Sequence, residues 1–167
     1  MLAAPITKVS GMLDLDDFDR RILAALQRDG RITNVALAEE VALSPSQCAR
    51  RLQRLEEAGA IRGYGAFLDP LALGLGITAL VTVTLEKHAR GNIQGFNEVV
   101  QGRPEIVECL AITGDGDFQL RIVARDLASF SRFLMEVVIP MPGVATTRSH
   151  IVLEQVKSTT ALPIGPS

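Results

Sequence analysis

Gln47, Arg50, Arg51 and Arg54 stand at i, i+3, i+4 and i+7, the spacing that lines up side chains along one face of a helix. A guanidinium can pair bidentately with guanine or neutralise a phosphate, and a Gln amide can pair with adenine, so this face suits the DNA major groove. No acidic residue lies between Pro45 and Arg54; Glu56 and Glu57 follow only at the far end. The competing reading is a solvated face that pairs with Glu56, Glu57 or Asp19. A second stretch with chemistry is Thr113-Gly114-Asp115-Gly116-Asp117. Gly-rich turns expose N–H groups that can hold a carboxylate, and an Asp can accept from an ammonium. The same residues are also ordinary hairpin chemistry.

The elements around the basic face are those of a helix-turn-helix. A first helix is expected from Asp16 or Asp17, with Phe18, Ile22, Leu23 and Leu26 as its apolar stripe and Asp29-Gly30 as its end. A second runs from about Asn34 to Val41, with Val35, Leu37, Ala38 and Val41 available for packing. The third opens on Ser44 as N-cap with Pro45 in the first turn, turns Cys48, Leu52 and Leu55 inward, and stops at Gly59. The second helix of such a motif enters the groove with its N-terminal residues nearest the bases. The DNA-contacting set is therefore Ser44, Ser46, Gln47, Arg50, Arg51 and Arg54, with Ser46, Gln47 and Arg50 near bases and Arg51 and Arg54 nearer the backbone. Ala60 to Leu68 carries the Gly turn and short strands of a wing.

Pro70, Gly74 and Gly76 mark a hinge over 69–76. Beyond it, Val81, Val83 and Leu85 alternate with Thr82 and Thr84 as in a half-buried strand. A helix around Asn92 to Gln101, strands over Ile106 to Ile112 and Phe118 to Ala124, a helix from Leu127 to Val138 broken by Pro140 and Pro142, and a strand from Ala145 to Val156 complete the order βαββαβ, a ferredoxin-like sandwich. The class is α+β, divided as an N-terminal extension 1–13, a winged helix-turn-helix 14–68, the hinge, a βαββαβ domain 77–157 and a tail 158–167 that is either free or an interface strand.

With 47% apolar residues and 22% charged, the chain can bury a core, and the absence of Trp leaves that core to aliphatic side chains. The net charge of −2 argues mildly against nucleic acid, but the concentration of Arg on one face outweighs it. No run approaches the roughly 20 apolar residues of a membrane helix, and Met1 to Gly11 does not read as a secretion signal. Cys48 and Cys109, the two cysteines, fit thiols of a reducing compartment, so a cytoplasmic protein without a membrane partner is expected. The Gly74-Leu75-Gly76 run is followed by a strand and so fails as a dinucleotide fingerprint. Asp115 and Asp117 are too few for a calcium loop. His88 and His150 have no companion ligands, and no nucleophile elbow occurs. Neither enzyme chemistry, metal nor cofactor is expected.

Leu43-Ser44-Pro45-Ser46, Arg50-Arg51-Leu52, Arg54-Leu55-Glu56-Glu57-Ala58-Gly59 and Ile61-Arg62-Gly63-Tyr64 resemble the Lrp/AsnC family of leucine- and asparagine-responsive regulators, as do Leu15-Asp16, Asp19-Arg20-Arg21-Ile22-Leu23, Asp69-Pro70 and Leu73-Gly74. The likeness spans nearly the whole chain; Cys48 departs from it, standing where the family has an aliphatic residue, and a redox role there stays open. The resemblance implies a transcription factor that binds double-stranded DNA, a βαββαβ domain that binds effector and oligomerises, dimers that assemble into tetramers or octamers, and an amino acid held between dimers near the 113–117 turn. Thr147 and Ser149 of the last strand match the family's polar positions there. The effector set is thus Thr113, Gly114, Asp115, Gly116, Asp117, Thr147 and Ser149. The rival readings are an amino-acid-binding regulatory protein or enzyme subunit without DNA, and a DNA-packaging protein of low specificity.

Overall fold

The computed structural model describes residues 13–86 and 92–164, and the chain folds into two compact units. One runs to Ala66 and takes in the segment from Ser158; the other is Phe67–Lys157. His88 lies outside the described residues.

In the first unit, α1 (Asp17–Arg28) begins with a reciprocal cap. The Asp19 N–H donates to Asp16 Oδ1 at 2.9 Å and the Asp16 N–H to Asp19 Oδ2 at 3.1 Å, which satisfies two backbone donors that the first turn otherwise leaves unpaired. Thr33 caps α2 (Asn34–Glu40) and Ser44 caps α3 (Pro45–Glu57), with Pro45 in its first turn. Ile22, Ala25, Leu37, Ala38, Val41, Cys48 and Leu55 form the core. Val35, expected to pack, is instead 56% exposed, because the short α2 turns Leu37 and Ala38 inward.

Both α2 and α3 end in the same hydrogen-bond pattern. After α3, Gly59 N–H donates to Glu56 O and Ala60 N–H to Leu55 O, with Gly59 at φ 73°. After α2, Ala42 N–H donates to Glu39 O and Leu43 N–H to Ala38 O, with Ala42 at φ 57°. These are Schellman closures, which need a left-handed residue at this position. The alanine version is strained.

The expected wing strands are absent: residues 62–69 carry no strand or helix. Tyr64, in the middle of that run, is drawn onto the helices instead. Its hydroxyl donates to Glu56 Oε1 at 2.8 Å, and its ring lies beside Gly30, where an added Cβ would meet Tyr64 Cδ1 at 3.7 Å.

The second unit is a four-stranded antiparallel sheet in the order β2-β3-β1-β4, built from β1 (Ile77–Leu85), β2 (Ile106–Ala111), β3 (Phe118–Ala124) and β4 (Val144–Ile151). Two helices, α4 (Asn92–Gln101) and α5 (Leu127–Phe133), supply the partners for one face. Ala79, Val81, Val83, Leu120 and Ile122 meet Phe96, Val100, Phe130, Val138 and Met141 in a single core. This is the ferredoxin-like sandwich. Two boundaries differ from expectation. The second helix is α-helical only to Phe133 and closes with a π turn over Leu134–Val138. The last strand ends at Ile151 rather than Val156, since beyond Val152, whose N–H donates to Thr78 O, Leu153 and Val156 project into solvent.

Candidate functional site

The Ser44 side chain and Gln47 close the start of α3 reciprocally. Gln47 N–H donates to Ser44 Oγ and Ser44 N–H to Gln47 Oε1, each at 3.3 Å. Ser46 Oγ sits 3.3 Å from Ser44 Oγ. The polar groups at the head of α3 are thereby ordered by the helix's own cap.

The three arginines of α3 do not share one environment. Asp19 of α1 is 1% exposed, and its carboxylate accepts from both Arg51 Nη1 (2.9 Å) and Arg54. Arg51 also donates to Asp16 at 2.7 Å. The Arg51 guanidinium lies 5.4 Å above the Phe18 ring, and Arg21 lies 5.6 Å from the same ring. Two carboxylates and two guanidiniums cancel in charge, so Arg51 and Arg54 fasten α3 to α1. The backbone hydrogen bond from Asp19 holds the Asp16 carboxyl below its ordinary value, with Arg51 adding to that effect. Arg50 is exposed and makes no ion pair among the described residues. Of the six residues expected on the DNA face, Ser44, Ser46, Gln47 and Arg50 cluster at the exposed head of α3, while Arg51 and Arg54 are engaged by α1. The sequence reading named Asp19 as a partner only within its competing solvated-face alternative, and it missed Asp16. Their signal was present: Asp19 lies three residues before Ile22, on the buried stripe, and three after Asp16, in capping-box spacing.

The 113–117 turn leaves β2 and re-enters β3 over the end of β1. Asp117 N–H donates to Val83 O at 2.9 Å, and the Asp117 carboxylate accepts the Leu85 N–H at 2.7 Å. Asp117 thus ties the turn to the sheet. Gly116 is buried, and a Cβ there would stand 2.3 Å from Thr82 Cγ2. The Thr84 hydroxyl donates to Asp115 O at 3.4 Å. Gly114, at φ 108°, gives the turn its reversal. Thr113 and Asp115 are exposed, and the Asp115 carboxylate has no hydrogen-bond partner among the described residues.

Register separates Thr147 and Ser149 from this turn. They pair with Val83 and Val81, so they project from the helix-covered face, whereas Thr82 and Thr84, against which the turn packs, project from the other. One protomer brings Thr113 to Asp117 together and leaves Thr147 and Ser149 on the opposite side of the sheet.

Cys48 is fully buried and Cys109 half-buried, and burial raises both thiols above their ordinary values. Among the described residues no cluster of His, Cys, Asp and Glu is placed to hold a metal, and no helix is long and apolar enough to cross a membrane.

Capped helices around a helix-turn-helix core, joined to a ferredoxin-like sandwich, define a two-part DNA-binding regulator. Known proteins agree on both parts. A winged helix-turn-helix DNA-binding profile matches residues 15–62 and a profile of the Lrp/AsnC ligand binding domain matches 78–162. The leucine-responsive regulatory protein of Escherichia coli is 42% identical over 151 residues, covering 90% of this chain and 92% of the relative. The HTH-type transcriptional regulator AldR of Mycolicibacterium smegmatis is 41% identical over 149 residues, covering 89% and 87%. A transcriptional regulator from Neisseria meningitidis, solved as a complex with L-methionine, superimposes with a TM-score of 0.87 at 42% identity, covering 90% of this chain and 97% of that one. The chain belongs to the Lrp/AsnC family. It is a DNA-binding transcriptional regulator with a ligand-binding domain, and its relatives are regulators rather than enzymes.

Proposed function

We propose that this regulator reads DNA through the exposed head of α3 and changes its DNA occupancy on binding an amino acid in its sandwich domain. Ser46, Gln47 and Arg50 approach base edges, with Ser44 fixing the helix start. Arg51 and Arg54 hold α3 against α1 and present only their outer N–H groups to the phosphates. The observation that carries this reading is the sorting of the arginines: Asp19 and Asp16 engage Arg51 and Arg54, and Arg50 alone of the three is left for the groove.

The effector reading is supported by the uncommitted Asp115 carboxylate beside the Gly114 backbone, a pair of groups complementary to an ammonium and a carboxylate. The Neisseria relative's complex with L-methionine points to the same ligand class. Thr147 and Ser149 lie across the sheet from this turn, so a site using both sets draws one of them from a second copy. The sandwich leaves one sheet face uncovered by its own helices, with Leu80, Leu110 and Val123 half-buried on it, which suits a two-fold dimer in the cytoplasm that assembles further into a tetramer or octamer. Two-fold dimers set two copies of α3 about 34 Å apart, one helical turn of DNA.

The test is fluorescence anisotropy on an operator selected from random duplexes by the wild-type chain, with and without a mixture of the twenty L-amino acids. Tight, salt-sensitive binding that shifts with the mixture is expected. Equal affinity for the operator and for competitor DNA would contradict the DNA reading, and an unshifted curve would contradict the effector reading.

A further inference from the structure

The chain passes from the helical unit into the sheet unit after Ala66 and returns after Lys157, so the segment from Ser158 packs with the helices rather than with the sheet it follows. One side chain receives it. The Gln27 Nε2 donates to Leu162 O at 3.1 Å, and the Leu162 N–H donates to Gln27 Oε1 at 2.6 Å. A primary amide bonded at both of its ends to the N–H and C=O of one residue reads backbone alone, as a neighbouring strand would. The segment is shaped for such a contact. Thr159 Oγ1 accepts the Ala161 N–H at 3.0 Å, and Pro163 holds Leu162 extended. Leu162 is 73% exposed while Ile164 is half-buried, so the segment presents its backbone and its end to the unit. From Ser158 to Ser167 no residue is charged, which sets it apart from the basic tails that embrace phosphates.

We infer that residues 158–164 form a strap, clasped by Gln27, that gives the DNA-binding unit a second tether to the effector domain. A head held by one linker samples many positions, and a second connection narrows that range and raises the effective concentration of the tethered head near its working position. The clasp sits in the last turn of α1, the helix whose first turn holds Arg51 and Arg54 through Asp19. The strap therefore acts on the helix that positions the DNA face. In a two-headed assembly its consequence is a narrower choice of spacing between half-sites.

Gln27→Ala keeps an exposed helix position in a good helix former, and a chain ending at Lys157 removes the strap outright. Amide exchange on the full-length protein reads the clasp directly: the Leu162 amide is expected to be protected in the wild type and freely exchanging in Gln27→Ala, with α3 protection unchanged in both. Binding is then compared on duplexes whose half-sites lie whole helical turns apart and on duplexes about five base pairs out of phase. The wild type is expected to discriminate between them, and both variants to lose about threefold or more of that discrimination. Exchange of Leu162 at the unstructured rate in the wild type would overturn the strap. So would equal affinity of the wild type for both spacings, or full discrimination in either variant. The exchange measurement stands independently of the DNA-reading assignment, so failure of the strap is distinguishable from failure of that assignment.

Discussion

Asp19 and Arg51 meet at 2.9 Å between the first turn of α1 and the middle of α3, and the carboxylate that joins them is 1% exposed. Its other oxygen takes Arg54. A buried carboxylate that lost either cation would still have the other, whereas without Asp19 Arg51 would keep only Asp16 and Arg54 would lose its ion pair to α1. The orientation of the exposed arginine face of α3 therefore depends on an acidic residue of α1.

Asp19→Asn keeps the shape and removes the charge. Breaking a buried ion pair costs about 3–5 kcal/mol when a charge is stranded; here Arg51 and Arg54 reach water, so a loss of about 2–3 kcal/mol is expected. Urea unfolding followed by circular dichroism measures it, and a midpoint equal to wild type would refute the structural role.

Ala42→Gly should stabilise the protein. Ala42 occupies the left-handed position of a closure that Gly59 fills in the neighbouring helix end, at a cost of roughly 1–2 kcal/mol for a residue with a Cβ. The greater freedom of Gly in the unfolded chain offsets part of the gain, leaving a net increase of about 0.5–1 kcal/mol. A lowered thermal midpoint would show that the strain is not there.

Much of this architecture was legible because it is local. Ser44-Pro45 and Gly59 bracket α3 by chemistry that acts within a few residues, and the alternation of Val81 and Val83 with Thr82 and Thr84 marks β1 by itself. What stayed hidden depends on partners distant in sequence. Tyr64 looked like a wing residue, and only the fold shows it resting on Glu56 and beside Gly30. Thr147 and Ser149 joined the effector turn through the resemblance; the β1–β4 register puts them on the other face. Gln27 and Leu162 are separated by 135 positions, and nothing in either segment announces the other.

Tyr64 is the chain's one tyrosine, so its ionisation is readable by absorbance without interference. Burial, then the hydrogen bond and charge of Glu56, push it from 10.0 up to about 12. A raised value favours the neutral phenol in the folded state. Its contribution to stability is thus complete below pH 10, declines above it and is lost through about pH 12. The expected titration midpoint lies near 12 and drops in Glu56→Gln; a midpoint at the ordinary value would contradict the contact.

Gly116→Ala places a Cβ against Thr82 Cγ2 at 2.3 Å, and a β-branched side chain in a strand has little room to yield. A loss of about 1–3 kcal/mol is expected, and adding Thr82→Ser, which deletes that methyl, should restore most of it. Additive losses in the double variant would show that the two positions do not meet.

In the proposed complex Arg50, rather than the arginines locked to Asp19, is the arginine of α3 that enters the groove. The most direct test of that placement is the salt dependence of operator binding by Arg50→Ala, measured beside its thermal midpoint. An unchanged midpoint is expected, together with either a loss of about 1–3 kcal/mol in specific affinity or a salt slope shallower by about one. A folded Arg50→Ala that binds the operator with wild-type affinity and wild-type slope would contradict it.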